Sequence, residues 1–169
     1  LLALHKQIKS LENFIPGKEV NKVFSDLVNI ATGFKKLQSK TLSNIKNDIQ
    51  KAAALAEVEM EKYWAKRISE SKTAQKELKN FWYYKNYLEL TKLEFGALSL
   101  CTNHSKHQKI LFLGSGPLPL TGIILADVYG CNVTMLDIDK ESLDLSKNLV
   151  SSLGTKKINF VESDAYKYR

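Results

Sequence analysis

Apolar positions along this chain follow two rhythms, and the change between them comes near residue 108. Before it they recur every three or four residues, the period of a helix with one buried face. Leu4, Ile8, Leu11 and Ile15 form one stripe, which Pro16-Gly17 should end. Val20, Val23, Phe24, Leu27, Val28 and Ala31 form a second, closing near Gly33. A long third helix is expected from about Thr41 to Ile68, with Leu42, Ile45, Ile49, Ala53, Ala56, Met60 and Trp64 facing inward. After the polar stretch Ser69 to Thr73 helix returns, is interrupted by the aromatic cluster FWYYKNY, and resumes from Leu88 to Leu100. Cys101 to Gln108 reads as a polar linker.

From Lys109 the pattern is that of alternating strands and helices: strand 109–113, helix 119–129, strand 132–137, helix 140–152, strand 157–161. The expected class is therefore α/β, a helical N-terminal domain over 1–107 followed by a Rossmann-like domain over 108–169. A doubly wound nucleotide fold needs a second half beyond three strands. The second domain is read as truncated, with its first strand left as an apolar edge. The chain begins at Leu1 and stops soon after a strand, so it reads as a fragment lacking residues at both ends.

The stretch KILFLGSGPLPLTGIILADVY, 109–129, carries the first chemical signal. A buried-type strand, a Gly-Ser-Gly turn and an apolar helix come in the order that offers backbone N–H groups and a helix N-terminus to a nucleotide-like ligand. Asp137 ends the next strand, twenty-one residues after Gly116, the position of a carboxylate that takes two ribose hydroxyls. The third glycine of a dinucleotide turn would stand at position 119, and this chain has Pro119 there. Two prolines remove two donors that a pyrophosphate would need, and Pro119 suits a first helical position. The turn thus fits a ligand with an adenosine and no pyrophosphate, as in S-adenosylmethionine. Gly114, Ser115, Gly116, Pro117 and Leu118 would form its wall. After the third strand, Asp164 and Ala165 are placed to meet the adenine edge. The plainer readings are that Asp137 or Asp139 caps the following helix, Asp139 being the better cap, and that Asp164 is a turn residue.

Composition narrows the partners. The chain has 169 residues with 44% hydrophobic and 25% charged content, ordinary for a globular protein. No apolar run reaches the length of a membrane span, and no basic-then-apolar signal opens the chain. The formal net charge is +7. Residues 109–169 hold seven basic and seven acidic side chains, so the excess lies in the helical part. Its lysines are scattered over helix faces without an arginine-rich block, which reads as solvated surface and not as a nucleic-acid footprint. Cys101 and Cys131 are too few for a disulfide framework and suggest a cytoplasmic protein. His5, His104 and His107 have no metal-ligand spacing with them, and no metal site is expected.

Three motifs in order resemble the nicotianamine synthase family. GSGPLPLTG at 114–122 is similar to its glycine-proline motif, which ordinary methyltransferases lack. YYKNYLELTKLE at 83–94 resembles its tyrosine-rich helix start, and LHKQIKSLENF with EVNKVFSDLV resembles the opening helices of its plant and fungal branch. The short second strand and LDID look more like the archaeal and bacterial branch. Trp82 departs from plant members, which often carry proline there. The resemblance implies a helical domain on a Rossmann-like domain, with a reaction chamber between them. It implies a transferase that joins 3-amino-3-carboxypropyl groups from three S-adenosylmethionine molecules into nicotianamine, a metal chelator, releasing methylthioadenosine. No cofactor is implied beyond S-adenosylmethionine, which is the substrate.

The resemblance also implies two catalytic residues. Glu61, in MEKYW, matches the family's glutamate on the long helix, and Tyr87, in KNYLEL, its tyrosine at the start of the following helix. From the residues alone, a solvated Glu61 and a packing role for the tyrosines are the plainer readings. The chemistry suits the implied roles, since an α-ammonium must lose a proton before it attacks the carbon beside a sulfonium. An antiparallel return of the helices would bring the pair near each other. Two other readings use the same turn: an S-adenosylmethionine-dependent methyltransferase with a helical extension, and a non-catalytic helical interaction module. Neither makes a demand on Glu61 or Tyr87.

Overall fold

The structure, a computed structural model, describes residues 1–33, 40–101 and 108–168, with backbone alone at 40–44. His104 and His107, and most of the expected linker, lie outside the described residues. Two compact units divide the chain, Leu1–Tyr63 and Trp64–Arg169.

The first unit is helical. It contains α1 (Leu2–Ser10), α2 (Lys18–Gly33) and the Lys40–Tyr63 part of α3 (Lys40–Ser69). Leu4, Ile8, Val23 and Ala52 are its buried centre, with Leu11, Phe14, Leu27, Ile30 and Ile49 packed around them. Phe14 and Phe24 meet edge to face at 5.8 Å. The expected first helix was too long. α1 ends at Ser10, Leu11 turns extended at φ −69° and ψ 128°, and Ile15 is exposed. The side chain of Asn13 accepts the Ile15 N–H at 3.0 Å, a local bond that competes with helix. Asp48 of α3 takes two bonds from α1, from Lys9 Nζ at 2.9 Å and His5 Nε2 at 3.1 Å.

The second unit starts with the end of α3 and continues through α4 (Ala74–Asn80) and α5 (Tyr84–Cys101). The aromatic cluster interrupts helix less than expected, because α5 begins inside it at Tyr84. Phe81 is fully buried, against Trp64 at 5.3 Å, while Trp82 and Tyr83 are exposed.

Then come β1 (Lys109–Leu113), α6 (Leu120–Asp127), β2 (Asn132–Asp137), α7 (Lys140–Leu153) and β3 (Ile158–Glu162). The strands form a parallel sheet in the order β1-β2-β3, so the α/β class and the order of helical and parallel parts are as expected. Leu113 pairs with Leu136, and Asp137 with Glu162, so the three strands end at one level. α6 is buried from Leu120 to Ala126, apolar all round as a core helix must be. Val133, Met135 and Leu136 of β2 are buried, whereas Leu111 and Leu113 of β1 are about half exposed, at 45% and 55%. Phe95 stacks on Tyr129 at 4.1 Å, and Gln75 Nε2 donates to the Leu153 carbonyl at 2.9 Å, tying α5 and α4 to the α/β part.

Candidate functional site

The carboxyl ends of parallel strands are where open α/β sheets bind ligands, and here they bring together most of the residues singled out. Gly114 and Gly116 have φ of +67° and +65°, left-handed conformations that glycine adopts without penalty. The turn folds back on the end of β2. The Gly114 and Ser115 N–H groups both donate to the Leu136 carbonyl, at 2.8 and 3.2 Å. The Gly116 N–H donates to Asp137 Oδ2 at 2.8 Å. Pro117 and Pro119, both buried, have no N–H to offer.

This geometry corrects one expectation drawn from the motif. The turn does not hold its N–H groups out to a ligand: those of residues 114, 115 and 116 are committed to β2, and 117 and 119 have none. A pyrophosphate would find little to grip. The hydroxyl of Ser115 is buried and has no hydrogen-bond partner among the described residues. An unmet buried hydroxyl costs about 1–3 kcal/mol, which a ligand's polar atom or a water recovers.

Asp137 does not cap α7. Asp139 does, accepting from the Glu141 and Ser142 N–H groups, both at 3.2 Å. Asp137 instead bonds on both carboxylate oxygens, Oδ2 to Gly116 and Oδ1 to the Asp139 N–H at 2.9 Å. Each oxygen retains acceptor capacity, since a carboxylate has about four lone-pair sites. Its carbonyl also takes the Ser163 N–H at 3.0 Å, which fastens the turn that follows β3. Asp164 in that turn accepts the Tyr166 N–H at 3.0 Å and lies 3.9 Å from Lys167 Nζ. It acts as a turn residue here, and Ala165 beside it is exposed.

Pro119 is the N-cap of α6 and not its first residue; Leu118 beside it is buried. Gly122, one turn on, faces the side chains of β2. An ideal Cβ at Gly122 would stand 2.5 Å from Met135 Cε. The motif contained this glycine, but its spacing did not single it out.

Glu61 is half-buried near the end of the first unit, on α3. Tyr87 is half-buried in the first turn of α5, in the second unit, with its ring 6.3 Å from Phe81. Cys131 is buried, which pushes its thiol pKa up, with Lys157 opposing; Cys101 is exposed. Among the described residues no group of three or more His, Cys, Asp or Glu could hold a metal ion. No described helix is long and apolar enough to cross a membrane.

A helical part followed by a parallel sheet, with a tight glycine turn after its first strand and a carboxylate ending its second, defines an α/β protein. Comparison with known proteins narrows the class. The sequence profile described as "Nicotianamine synthase protein" matches residues 1–168, and the chain belongs to that family. It is 34% identical over 160 residues to nicotianamine synthase 2 of Arabidopsis thaliana, covering 89% of this chain and 50% of that one. It is 37% identical over 154 residues to nicotianamine synthase of Solanum lycopersicum, covering 88% of this chain and 47% of that one. The chain thus spans about half the length of the curated relatives it matches. Among solved structures, a glutamate-to-glutamine mutant of MtNAS superposes with a TM-score of 0.85 at 24% identity, over 96% of this chain and 64% of that one. MtNAS in complex with MTA and tNA gives 0.60 at 24% identity, over 85% and 64%. These two likenesses establish the fold.

Proposed function

We propose that this chain carries the first part of a nicotianamine synthase-type transferase that uses S-adenosylmethionine. The observation that carries the reading is the donor-poor glycine turn facing the Asp137 carboxylate, in a chain of this family. Such a site accepts hydrogen bonds from a ribose and makes little provision for phosphate. In this reading the sheet is half of a Rossmann-like domain and the protein is cytoplasmic. Gly114, Ser115, Gly116, Pro117 and Leu118 form the wall beside the adenosine. Asp137 takes the ribose hydroxyls, and Asp164 with Ala165 meets the adenine edge.

The reaction needs a neutral amine. Glu61 and Tyr87 are the two residues this reading assigns, by the family's motifs, to taking a proton from the α-ammonium of the acceptor. The freed nitrogen lone pair attacks the carbon beside the sulfonium of a second molecule, forming a C–N bond. The C–S bond breaks with its electrons going to sulfur, and methylthioadenosine leaves as a neutral thioether. No acid is needed for that departure. Alignment of amine, carbon and sulfur supplies much of the remaining acceleration.

A ligand-side change tests the ribose contact without disturbing the turn. Methylthioadenosine should bind the complete protein about 10- to 100-fold more tightly than its 2′-deoxy counterpart, the difference expected for a hydrogen bond to a charged group. Calorimetry giving equal affinities would remove Asp137 from that role.

A further inference from the structure

Three loops carry the residues assigned above to the adenosine, and one residue bonds to all of them. Asp137 takes the Gly116 N–H on Oδ2 at 2.8 Å, the Asp139 N–H on Oδ1 at 2.9 Å and the Ser163 N–H on its carbonyl at 3.0 Å. The first bond reaches the β1–α6 turn, the second the β2–α7 bend, and the third the turn after β3. The carboxylate is half-buried, at the level where all three strands end.

We propose that Asp137 is a positioning residue, which holds the Gly114–Leu118 turn and the β2–α7 bend in their ligand-ready form before any ligand arrives. The physical case rests on the Gly116 amide. Gly116 sits at φ +65° just before a proline, and glycine loses more freedom on ordering than any other residue. Two bonds to the Leu136 carbonyl fix residues 114 and 115. Among the described residues, the Asp137 carboxylate is the group that takes the Gly116 N–H. A hydrogen bond to an ionised acceptor is about twice as strong as a neutral one. The charge thus does two tasks, ordering the turn and leaving its remaining lone pairs for ribose hydroxyls. A ligand that finds the turn already ordered pays less entropy on binding.

The proposal rests on the functional reading for what the turn is ready to bind, but its test does not. Amide hydrogen exchange is measured at Gly116 and Asp139 in the ligand-free complete protein, with Val133 and Met135 of β2 as the check on folding. In Asp137→Ala the Gly116 and Asp139 amides should exchange at least about 10-fold faster while the β2 amides stay protected. Asp137→Asn keeps one acceptor oxygen and turns an amide N–H toward the other donor. One of the two amides should therefore keep its protection and the other lose it, a partial rescue that a general loosening would not produce. Wild-type exchange at Gly116 in Asp137→Ala would overturn the proposal, and so would wild-type rates at both amides in Asp137→Asn. Failure of the wild type to bind S-adenosylmethionine would sink the functional reading instead and leave the exchange result standing.

Discussion

Asp137 and Gly122 show what spacing along a chain can and cannot reveal about a residue. The position of Asp137 at the end of a strand, a fixed distance past a glycine turn, was legible because strand length and turn length set that distance. Its bond to the Gly116 N–H was not legible, because it depends on how the turn folds back. Gly122 escaped for a similar reason: what an added Cβ would meet, the end of the Met135 side chain, lies on another element. Gly122→Ala should gain helix propensity of about 1 kcal/mol and lose about 1–3 kcal/mol to overpacking against the buried Met135. A net loss near 1 kcal/mol in urea denaturation is expected, recovered when Met135→Leu removes the terminal methyl. An unchanged midpoint in Gly122→Ala would show that Met135 moves aside freely. Glu61 and Tyr87 belong to the same scale, and nothing in periodicity distinguishes them from surface and packing residues; the family motifs do. If they share one proton, Glu61→Gln and Tyr87→Phe should each lower methylthioadenosine release by at least roughly 100-fold. The double variant should be little worse than the poorer single. Fully multiplicative losses would place the two residues in separate steps.

At the level of elements the strands were the easiest to read. β1 matches its expected bounds and β2 does too, because each is an apolar run closed by glycine or aspartate and flanked by turn residues. α7 is framed by Asp139 at its start and Gly154, at φ +70°, at its end, both explicit signals. The end of α1 was misread, since the stripe through Ile15 continued past the point where Asn13 captures a backbone N–H. What fastens α1 is partly electrostatic. Bonds from Lys9, and then from His5, hold the Asp48 carboxyl below its usual value of 3.8. A carboxylate with a lowered folded-state pKa stabilises the fold above its unfolded pKa, and that contribution disappears as pH falls through the folded value. Acidification below about pH 4 should therefore loosen α1 on α3 before the buried apolar contacts fail. Hydrogen exchange of the α1 amides should accelerate there, and Asp48→Asn should show the faster exchange at neutral pH. An α1 whose protection ignores both changes would be held by Leu4 and Ile8 alone.

For the whole molecule, family membership and site geometry converge from independent directions. The Gly114, Ser115 and Gly116 N–H groups are all turned to β2, and the family profile matches residues 1–168; the adenosyl sulfonium substrate is the proposal that joins the two. The chain spans about half the length of the relatives it matches. The central claim is that this protein transfers the aminocarboxypropyl group and not the methyl group. The most direct test supplies the complete protein with S-adenosylmethionine alone and identifies the products by mass. Methylthioadenosine together with nicotianamine is the predicted outcome. S-adenosylhomocysteine, or no product at all from a protein that binds S-adenosylmethionine, would contradict it.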